Sequence, residues 1–402
     1  MGYKPPAEAY FDRIQKALAG ADTYKSLSGL YAKNPKNVEV IFKLAQKYDQ
    51  RISTSGKADE LYKQIVALDT EGKAGLVDVD YPKVRVPYGE YASFILARKI
   101  ALGAKADPAP MRAFIQKYPA SPLVQTGYMY MGIYYENYAP KDAAGPFFEE
   151  YTAKYPQDVY ALGAYIRRII KDKEPLDKGL QLADKIEELT SYNPDPYNVE
   201  NRAELLWLKG DKAKTEEIFG KSFLGDRRAT MAYELASYAN FWNDRAANLD
   251  KAVEAIELAV RIQPETPYLR QTAATIYNKA GQPDKALEVF GPEFLKKSLD
   301  KSDVLYPYAW YWNQQGKNLE SAREAIRRMI EIQPGLTYFD IQAQILLKLK
   351  NYDEALKSAE QALALARESV KRRPGFAIKP YEARVQEIKT AMAKEKGEDV
   401  RK

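Results

Sequence analysis

The side chains that most often carry covalent and metal chemistry are missing from this sequence. Its 402 residues include no cysteine and no histidine. Thiol nucleophiles, serine–histidine–aspartate triads and the usual histidine or cysteine zinc sites are therefore excluded. Acid–base catalysis would have to come from aspartate, glutamate, lysine or tyrosine. The sequence thus predicts no catalytic residue, no metal site and no cofactor.

Two pairs of adjacent glutamates come nearest to a catalytic carboxylate pair. They are Glu149-Glu150 in PFFEEYTAKYP and Glu187-Glu188 in ADKIEELTSY. Adjacent residues on a helix point about 100° apart, so such a pair cannot hold one substrate atom between its carboxylates. We interpret both pairs as parts of solvated helix faces. A glycosidase-type pair assembled from distant segments stays open.

Charge and hydropathy exclude two further classes of partner. The net charge is +6, with 61 basic and 55 acidic residues interspersed along the chain. Because no basic run carries interleaved aromatics, we expect no nucleic-acid partner. No run of 18 apolar residues occurs, so no membrane span is expected. The opening MGYKPPAEAYFDRIQ lacks the apolar core of a signal peptide, which predicts a cytoplasmic protein for the chain as written.

An internal repeat organises most of the chain. LASYANFWNDRAANLDKAVEAIELAVRIQPETPY from Leu235 aligns without gaps to LYPYAWYWNQQGKNLESAREAIRRMIEIQPGLTY from Leu305, 70 residues later. This offset is about two units of a helix–turn–helix repeat of roughly 34 residues. Small residues open the second helix of successive units at Ala144, Gly179, Thr215, Ala252, Ala286, Ala322 and Ala355.

These units resemble the tetratricopeptide repeat. YMYMGIYYENYAPKDAAGPFFEEYTAKYP carries a small residue at the helix crossing, Gly132, an aromatic one turn later, Tyr135, and a small residue opening the second helix, Ala144. The resemblance implies an all-α, right-handed superhelical solenoid of about nine to ten helix-turn-helix repeats. It also implies a capping helix at the C-terminus. Tyr381, Val385, Ile388 and Met392 predict that helix, because they share one stripe at spacings of 4, 3 and 4.

The repeat frame divides the chain into four segments. GKAGLVDVDYPKVRVP lacks helical period, and its valines at 84 and 86 alternate as in a short strand. We favour a long inter-helix loop there, because such repeats tolerate loop insertions. The predicted segments are degenerate repeats over 1–71, a loop or linker over 72–87, the solenoid over 88–375, and the capping helix with a frayed tail over 376–402.

The same frame separates core residues from surface residues. It places Trp242 and Trp312 between the two helices of a unit, as core, and Trp310 on the inner face. The family's first helices line a concave inner face, where amides can bond a peptide backbone and rings can cover apolar side chains. The predicted partner-binding residues are Asn240, Asn243, Gln271, Thr275, Asn278, Tyr306, Trp310, Asn313, Asp340 and Gln344.

One variant of the family holds the C-terminal acid of its partner with lysine and asparagine at set inner positions. Those positions carry Gln271, Tyr306 and Asp340 here, so that mode is disfavoured. The preferred interpretation is a non-enzymatic interaction scaffold that binds an extended peptide or a partner protein. The alternatives are a glycan-binding or glycan-active all-α protein, and a structural subunit of a larger envelope complex.

The N-terminal region carries a second, shorter resemblance. GYKPPAEAYFDRIQKAL followed by DTYKSLSGLYAKNPKNVEVIFKLAQKY is similar to the junction between a thioredoxin-like domain and a tetratricopeptide array in bacterial exported proteins. This resemblance implies a periplasmic or envelope protein whose array docks a partner. It implies no oxidoreductase activity for this chain, since no cysteine is present.

Overall fold

The computed structural model describes residues 24–50, 54–103, 105–191, 196–220, 224, 231–372, 376–395 and 397. Residues 1–23, which carry part of the thioredoxin-like resemblance, lie outside the described residues. The same holds for the residues beyond 397, where the sequence predicts a frayed tail. The chain forms two compact units, Met1–Lys212 and Ala213–Lys402. The boundaries of the four segments assigned from the sequence stay a prediction.

The first unit is built from helices in consecutive packed pairs. Within it α2 packs on α3, α4 on α5, α6 on α7, and α8 on α9. The helices are α1 (Tyr24–Lys33), α2 (Val38–Asp49), α3 (Ser55–Leu68), α4 (Tyr88–Ala101), α5 (Ala109–Lys117), α6 (Val124–Asn137), α7 (Lys141–Lys154), α8 (Val159–Asp172), α9 (Leu176–Leu189) and α10 (Pro196–Leu208).

The second unit repeats this arrangement. Its packed pairs are α12 with α13, α14 with α15, α17 with α18, and α19 with α20. The helices are α11 (Lys212–Phe219), α12 (Ala232–Asp244), α13 (Leu249–Ile262), α14 (Pro267–Lys279), α15 (Pro283–Phe290), α16 (Pro292–Lys296), α17 (Ser302–Gln315), α18 (Leu319–Ile332), α19 (Leu336–Lys348), α20 (Tyr352–Arg372) and α21 (Lys379–Glu395). The predicted all-α helical-repeat fold is confirmed.

Small residues let the paired helices approach each other. All seven small residues that the sequence places at the start of the second helices are buried: Ala144, Gly179, Thr215, Ala252, Ala286, Ala322 and Ala355. A larger side chain at these positions would hold the two helix backbones apart, because protein interiors are close-packed. The small-residue spacing read from the sequence is therefore the packing signal of the repeat.

The two core tryptophans also donate hydrogen bonds to the last carbonyl groups of neighbouring helices. Trp242 and Trp312 are buried, as predicted. The indole N–H of Trp242 donates to the carbonyl oxygen of Phe219 at 2.9 Å, and that of Trp312 donates to Phe290 at 2.8 Å. Phe219 and Phe290 are the last residues of α11 and α15, whose terminal carbonyls have no partner within the helix. Each indole thus combines apolar burial with satisfaction of a buried acceptor.

The segment predicted as a loop contains regular structure, so that prediction is wrong. Strands β1 (Leu76–Val79) and β2 (Val84–Pro87) pair antiparallel, with Val77 opposite Val86. Val77, Val79 and Val86 are buried in the core of the first unit. The alternation of Val84 and Val86 in the sequence was the correct signal, because a two-residue period places alternate side chains on one face.

A buried aspartate fastens this hairpin to the helix that follows it. Asp69 accepts hydrogen bonds from the backbone N–H of Ala74 and of Gly89, each at 2.9 Å. Gly89 lies in the first turn of α4, where backbone N–H groups lack intrahelical partners. The Asp69 carboxylate therefore caps α4 from a distance of 20 residues along the chain.

The capping helix α21 packs as its apolar stripe predicts. Ile388 is fully buried against α19 and α20, and Val385 and Met392 pack beside it. Tyr381 stacks on Phe376, with ring centroids 6.2 Å apart. The opposite face of α21 is charged and exposed. The helix thus covers the apolar end of the last hairpin, as terminal repeats require.

Candidate protein-binding surface

The first helices of the hairpins in the second unit form one continuous surface. Helix α12 packs on α14, α14 on α17, and α17 on α19. Their buried sides face the second helices, which leaves their other sides exposed next to one another. We name this surface, formed by the exposed sides of α12, α14, α17 and α19, the A-helix face. It is the surface on which the sequence places the partner-binding residues.

Aromatic rings from successive helices touch across the A-helix face. Tyr233 of α12 stacks on Tyr268 of α14, with ring centroids 6.2 Å apart and planes at 20°. Tyr306 of α17 and Tyr338 of α19 lie 5.4 Å apart. Trp310, one turn after Tyr306, is 41% exposed. An indole this accessible is uncommon in a folded protein, since tryptophan side chains are usually well buried.

The polar side chains of the face are partly engaged with one another. Asn240 donates its amide to the hydroxyl of Tyr268 at 3.2 Å. Thr275 donates to the backbone carbonyl of Gln271 within α14, at 3.0 Å. Asn278 donates to the hydroxyl of Tyr311 at 2.9 Å. The face therefore presents pre-positioned amide and hydroxyl groups that retain further hydrogen-bonding capacity.

Two of the predicted partner-binding residues do not reach the surface. Asn243 is 5% exposed and Asn313 is 0% exposed, so the prediction that they contact a partner is wrong. Each lies near the end of a first helix, where the last turn of the next first helix covers it. Lys279 of α14 donates to the backbone carbonyl of Asn243, and Lys348 of α19 donates to that of Asn313. The repeat frame alone does not show this coverage.

A chain of hydrogen bonds joins the buried Asn313 to the capping helix. Asn313 donates to the Gln344 side-chain oxygen at 2.9 Å, and Gln344 donates to Asp340 at 2.7 Å. The Arg384 guanidinium lies 3.4 Å from the other Asp340 oxygen. Asp340 and Gln344 are thus committed to contacts within the chain. Their side chains are therefore less available for contacts with a partner than those of Trp310, Tyr306 and Gln271.

Burial raises the pKa of two phenols beneath the face. Burial raises the pKa of Tyr311, against the lowering effect of its hydrogen bonds with Asn278 and Thr275. Burial likewise raises the pKa of Tyr308 to about 12, although Asn318 donates to its oxygen. The shift moves their ionisation further above neutral pH, and both hydroxyls take part in hydrogen bonds.

Sequence reasoning missed three aromatic residues of the face. Tyr233, Tyr268 and Tyr338 were not among the predicted residues, yet each contacts a ring of a neighbouring first helix or a predicted residue. Their signal was present in the spacing, since they lie 35 and 70 residues apart. Each occupies the start of its helix, which the repeat frame assigns to the turn rather than to the inner face.

The described part of the chain holds no group of three or more acidic side chains that could bind a metal ion. Across the same residues, no helix combines the length and apolar composition that crossing a bilayer requires.

The fold and this surface define a helical-repeat protein. Residues 338–369, which span most of α19 and most of α20, match the family model of the tetratricopeptide repeat. This hairpin of the chain is therefore similar to a tetratricopeptide repeat. No curated protein matches the sequence.

Solved structures with similar arrangements have low sequence identity to this chain. A tetratricopeptide repeat protein from Parabacteroides merdae is 12% identical, with 74% of this chain and 96% of that chain covered and a TM-score of 0.35. Yeast Tom70 is 15% identical, with coverages of 96% and 88% and a TM-score of 0.38. The human IFIT1 dimer with m7Gppp-AAAA is 14% identical, with coverages of 82% and 72% and a TM-score of 0.36. At these TM-scores the similarities support no inference about function.

Two lysines that donate to backbone carbonyls near the ends of first helices should contribute measurably to stability. We expect Lys279→Met and Lys348→Met each to lower the free energy of unfolding by about 0.5–1.5 kcal/mol, because each leaves a helix-terminal carbonyl without its charged donor. Urea denaturation measures the change. Lys357→Met is the matched control, since Lys357 is exposed on α20, and it should change stability by less than about 0.5 kcal/mol. Equal effects of all three variants would contradict the assignment.

Proposed function

We propose that this protein is a non-enzymatic scaffold whose A-helix face binds an extended segment of a partner protein. The observation that carries the proposal is the exposure of Trp310, at 41%, on a surface continuous across four helices. Large aromatic residues of this kind supply most of the binding energy in many protein interfaces, because they bury a wide rigid area at low conformational cost.

The neighbours of Trp310 extend the site along the face. The Tyr306–Tyr338 pair lies on one side of it, and the Tyr233–Tyr268 stack lies on the earlier helices. Asn240 donates to the Tyr268 hydroxyl, and Gln271 and Thr275 lie on α14, the helix that carries Tyr268. An extended peptide presents alternating side chains and unpaired backbone groups, so rings and amides in one row complement both. No described contact favours the glycan or structural-subunit alternatives, which stay predictions.

A peptide selection with matched variants tests this proposal. Peptides would be selected from a random phage-displayed library on the full chain, and their affinities measured for Trp310→Ala and Ile332→Ala. Ile332 is 45% exposed at the end of α18, a second helix, and so matches Trp310 in exposure but not in location. We expect Trp310→Ala to weaken binding by about tenfold or more, and Ile332→Ala to leave it unchanged.

Two results would overturn the proposal. One is that selected peptides bind the folded Trp310→Ala variant as tightly as the wild type. The other is that they lose affinity equally for Ile332→Ala. Circular dichroism of both variants confirms folding, and we expect both to fold because the replaced side chains are exposed.

A further inference from the structure

A cavity of about 390 Å³ lies beside the turns of the second unit, where α14 and α15 meet the end of α17. Its wall is apolar and is formed by Pro283, Leu287, Pro292 and the ring of Trp312. The polar side chains Asn278, Lys317 and Asn318 complete its lining. Ligand pockets commonly measure about 300–1,000 Å³, so this cavity suits a single anchoring group.

The chain contains an internal counterpart of this site. Trp242 and Trp312 occupy equivalent places, since each donates its indole N–H to the last residue of a preceding second helix. Those last residues are Phe219 and Phe290, 71 positions apart. The residue three positions before each of them is therefore also equivalent. It is Glu216 in the first copy and Leu287 in the second.

The two copies fill this place differently. In the first copy, Asn248 donates its amide to the Glu216 carboxylate at 2.7 Å. In the second copy, Leu287 cannot accept a hydrogen bond, and Asn318 donates instead to the Tyr308 hydroxyl at 2.6 Å. Leu287 is left 42% exposed on the cavity wall. Where the first copy has the Glu216 carboxylate, the second copy thus has the apolar side chain of Leu287.

The rim of the cavity also carries a positive charge that the equivalent position of the first copy lacks. The residue before the helix-capping asparagine is Ala247 in the first copy and Lys317 in the second. Lys317 is exposed, and its ammonium group makes no ion pair within the residues that the structure describes. An apolar wall and an unneutralised cation therefore adjoin each other at a place where the first copy carries its own carboxylate.

We propose that this cavity is a second binding site, which takes an apolar side chain of a peptide whose next residue is acidic. The apolar side chain enters between Leu287 and Pro283, above the ring of Trp312. The acidic side chain pairs with Lys317 at the rim. The carboxylate that Glu216 supplies in the first copy is thus provided here by the partner. The cavity shares Asn278 with the A-helix face, but neither Leu287 nor Lys317 belongs to that face.

Nuclear magnetic resonance on the full chain tests the site with defined probes. The capped dipeptide acetyl-Phe-Asp-amide is titrated while the indole N–H resonance of Trp312 is followed, assigned by Trp312→Phe. Acetyl-Phe-Asn-amide has nearly the same shape without the charge, and acetyl-Gly-Asp-amide has the charge without the ring. We expect saturable shifts with the first probe, about fivefold weaker binding of the second, and no shift with the third.

Two variants separate the apolar wall from the charged rim. Leu287→Glu reproduces the first copy, where the glutamate engages the capping asparagine, and should abolish binding of acetyl-Phe-Asp-amide. Lys317→Ala should make the affinities of the Asp and Asn probes equal. Both positions are exposed, and the Trp312 resonance itself reports that the fold is kept.

The proposal is overturned if Trp312 does not respond to either phenylalanine probe, if the two bind equally to the wild type, or if Leu287→Glu binds as the wild type does. Trp310→Ala should leave the titration unchanged, because Trp310 is not part of the cavity lining. Failure of peptide binding at the A-helix face and failure of this site are therefore observed separately.

Discussion

Replacing Trp312 with alanine is expected to lower the free energy of unfolding of its hairpin by about 3–5 kcal/mol. The side chain is 1% exposed, and its ring contacts those of Tyr308 and Tyr311, with centroids 6.4 and 4.9 Å away. Truncation removes this burial and leaves a void that surrounding helices can fill only in part. It also removes the donor to the Phe290 carbonyl, which lies at the end of α15.

Phenylalanine at the same position separates the two contributions. Trp312→Phe retains a large ring but leaves the Phe290 carbonyl without its donor, at an expected cost of about 1–3 kcal/mol. Trp242→Phe should have a similar effect, because Trp242 makes the equivalent hydrogen bond to Phe219. Hydrogen exchange of the amides in α15, α17 and α18 measures the opening of this hairpin even if the repeats do not unfold in one step.

The exposed Trp310 is the internal control for this prediction. It lies on the same helix two residues earlier and has the same side chain, but 41% of it is accessible. Trp310→Ala should change the free energy of opening of the hairpin, as measured by hydrogen exchange, by less than about 1 kcal/mol. If Trp310→Ala and Trp312→Ala destabilise equally, the division of these tryptophans between surface and core is wrong.

The second large effect is expected at Gly89, where α4 leaves the β-hairpin. A Cβ atom added to Gly89 would lie 2.3 Å from the backbone carbonyl oxygen of Asp69, so the backbone itself must move. That movement also disturbs the 2.9 Å hydrogen bond from Gly89 to the Asp69 carboxylate. We expect Gly89→Ala to destabilise the first unit by about 1–3 kcal/mol, the usual cost of overpacking.

Asp69→Ala tests the same junction without a steric clash. It leaves the buried N–H of Gly89 without an acceptor and should cost about 1–3 kcal/mol. The matched control is Gly29→Ala in α1, since Gly29 is exposed and no atom lies within 4 Å of a Cβ added there. That variant should be neutral or stabilising, because alanine is the better helix former. Hydrogen exchange over residues 74–101 measures the local stability of all three variants. Equal protection of these amides in Gly89→Ala and in the wild type would contradict the role of the Asp69–Gly89 contact.

The sequence by itself determined the repeat and its core. The 70-residue offset, the seven small residues and the positions of Trp242 and Trp312 all predicted packing that the structure confirms. These features are readable because helical periodicity and steric fit act between residues close in sequence or in register. The stripe on α21 was readable for the same reason.

Only the tertiary structure decided which polar residues remain at the surface. Asn243 and Asn313 lie in the repeat frame beside exposed residues, but a lysine from the next hairpin, 36 or 35 residues later, covers each of them. The Asp69–Gly89 contact likewise joins residues 20 positions apart across a β-hairpin that the helical period does not contain. Such contacts depend on long side chains and loop paths, for which the sequence carries no periodic signal.

The cavity beside Trp312 shows both kinds of information together. Glu216, Leu287, Ala247 and Lys317 are all visible in the sequence, and the small residues Thr215 and Ala286, which precede Glu216 and Leu287, place these two opposite each other. The indole hydrogen bonds to Phe219 and Phe290 give the same register for the preceding helices. Sequence supplied the chemical difference between the two copies. Three-dimensional packing decided that this difference lies at a cavity, because only packing brings the ends of separate helices to one place.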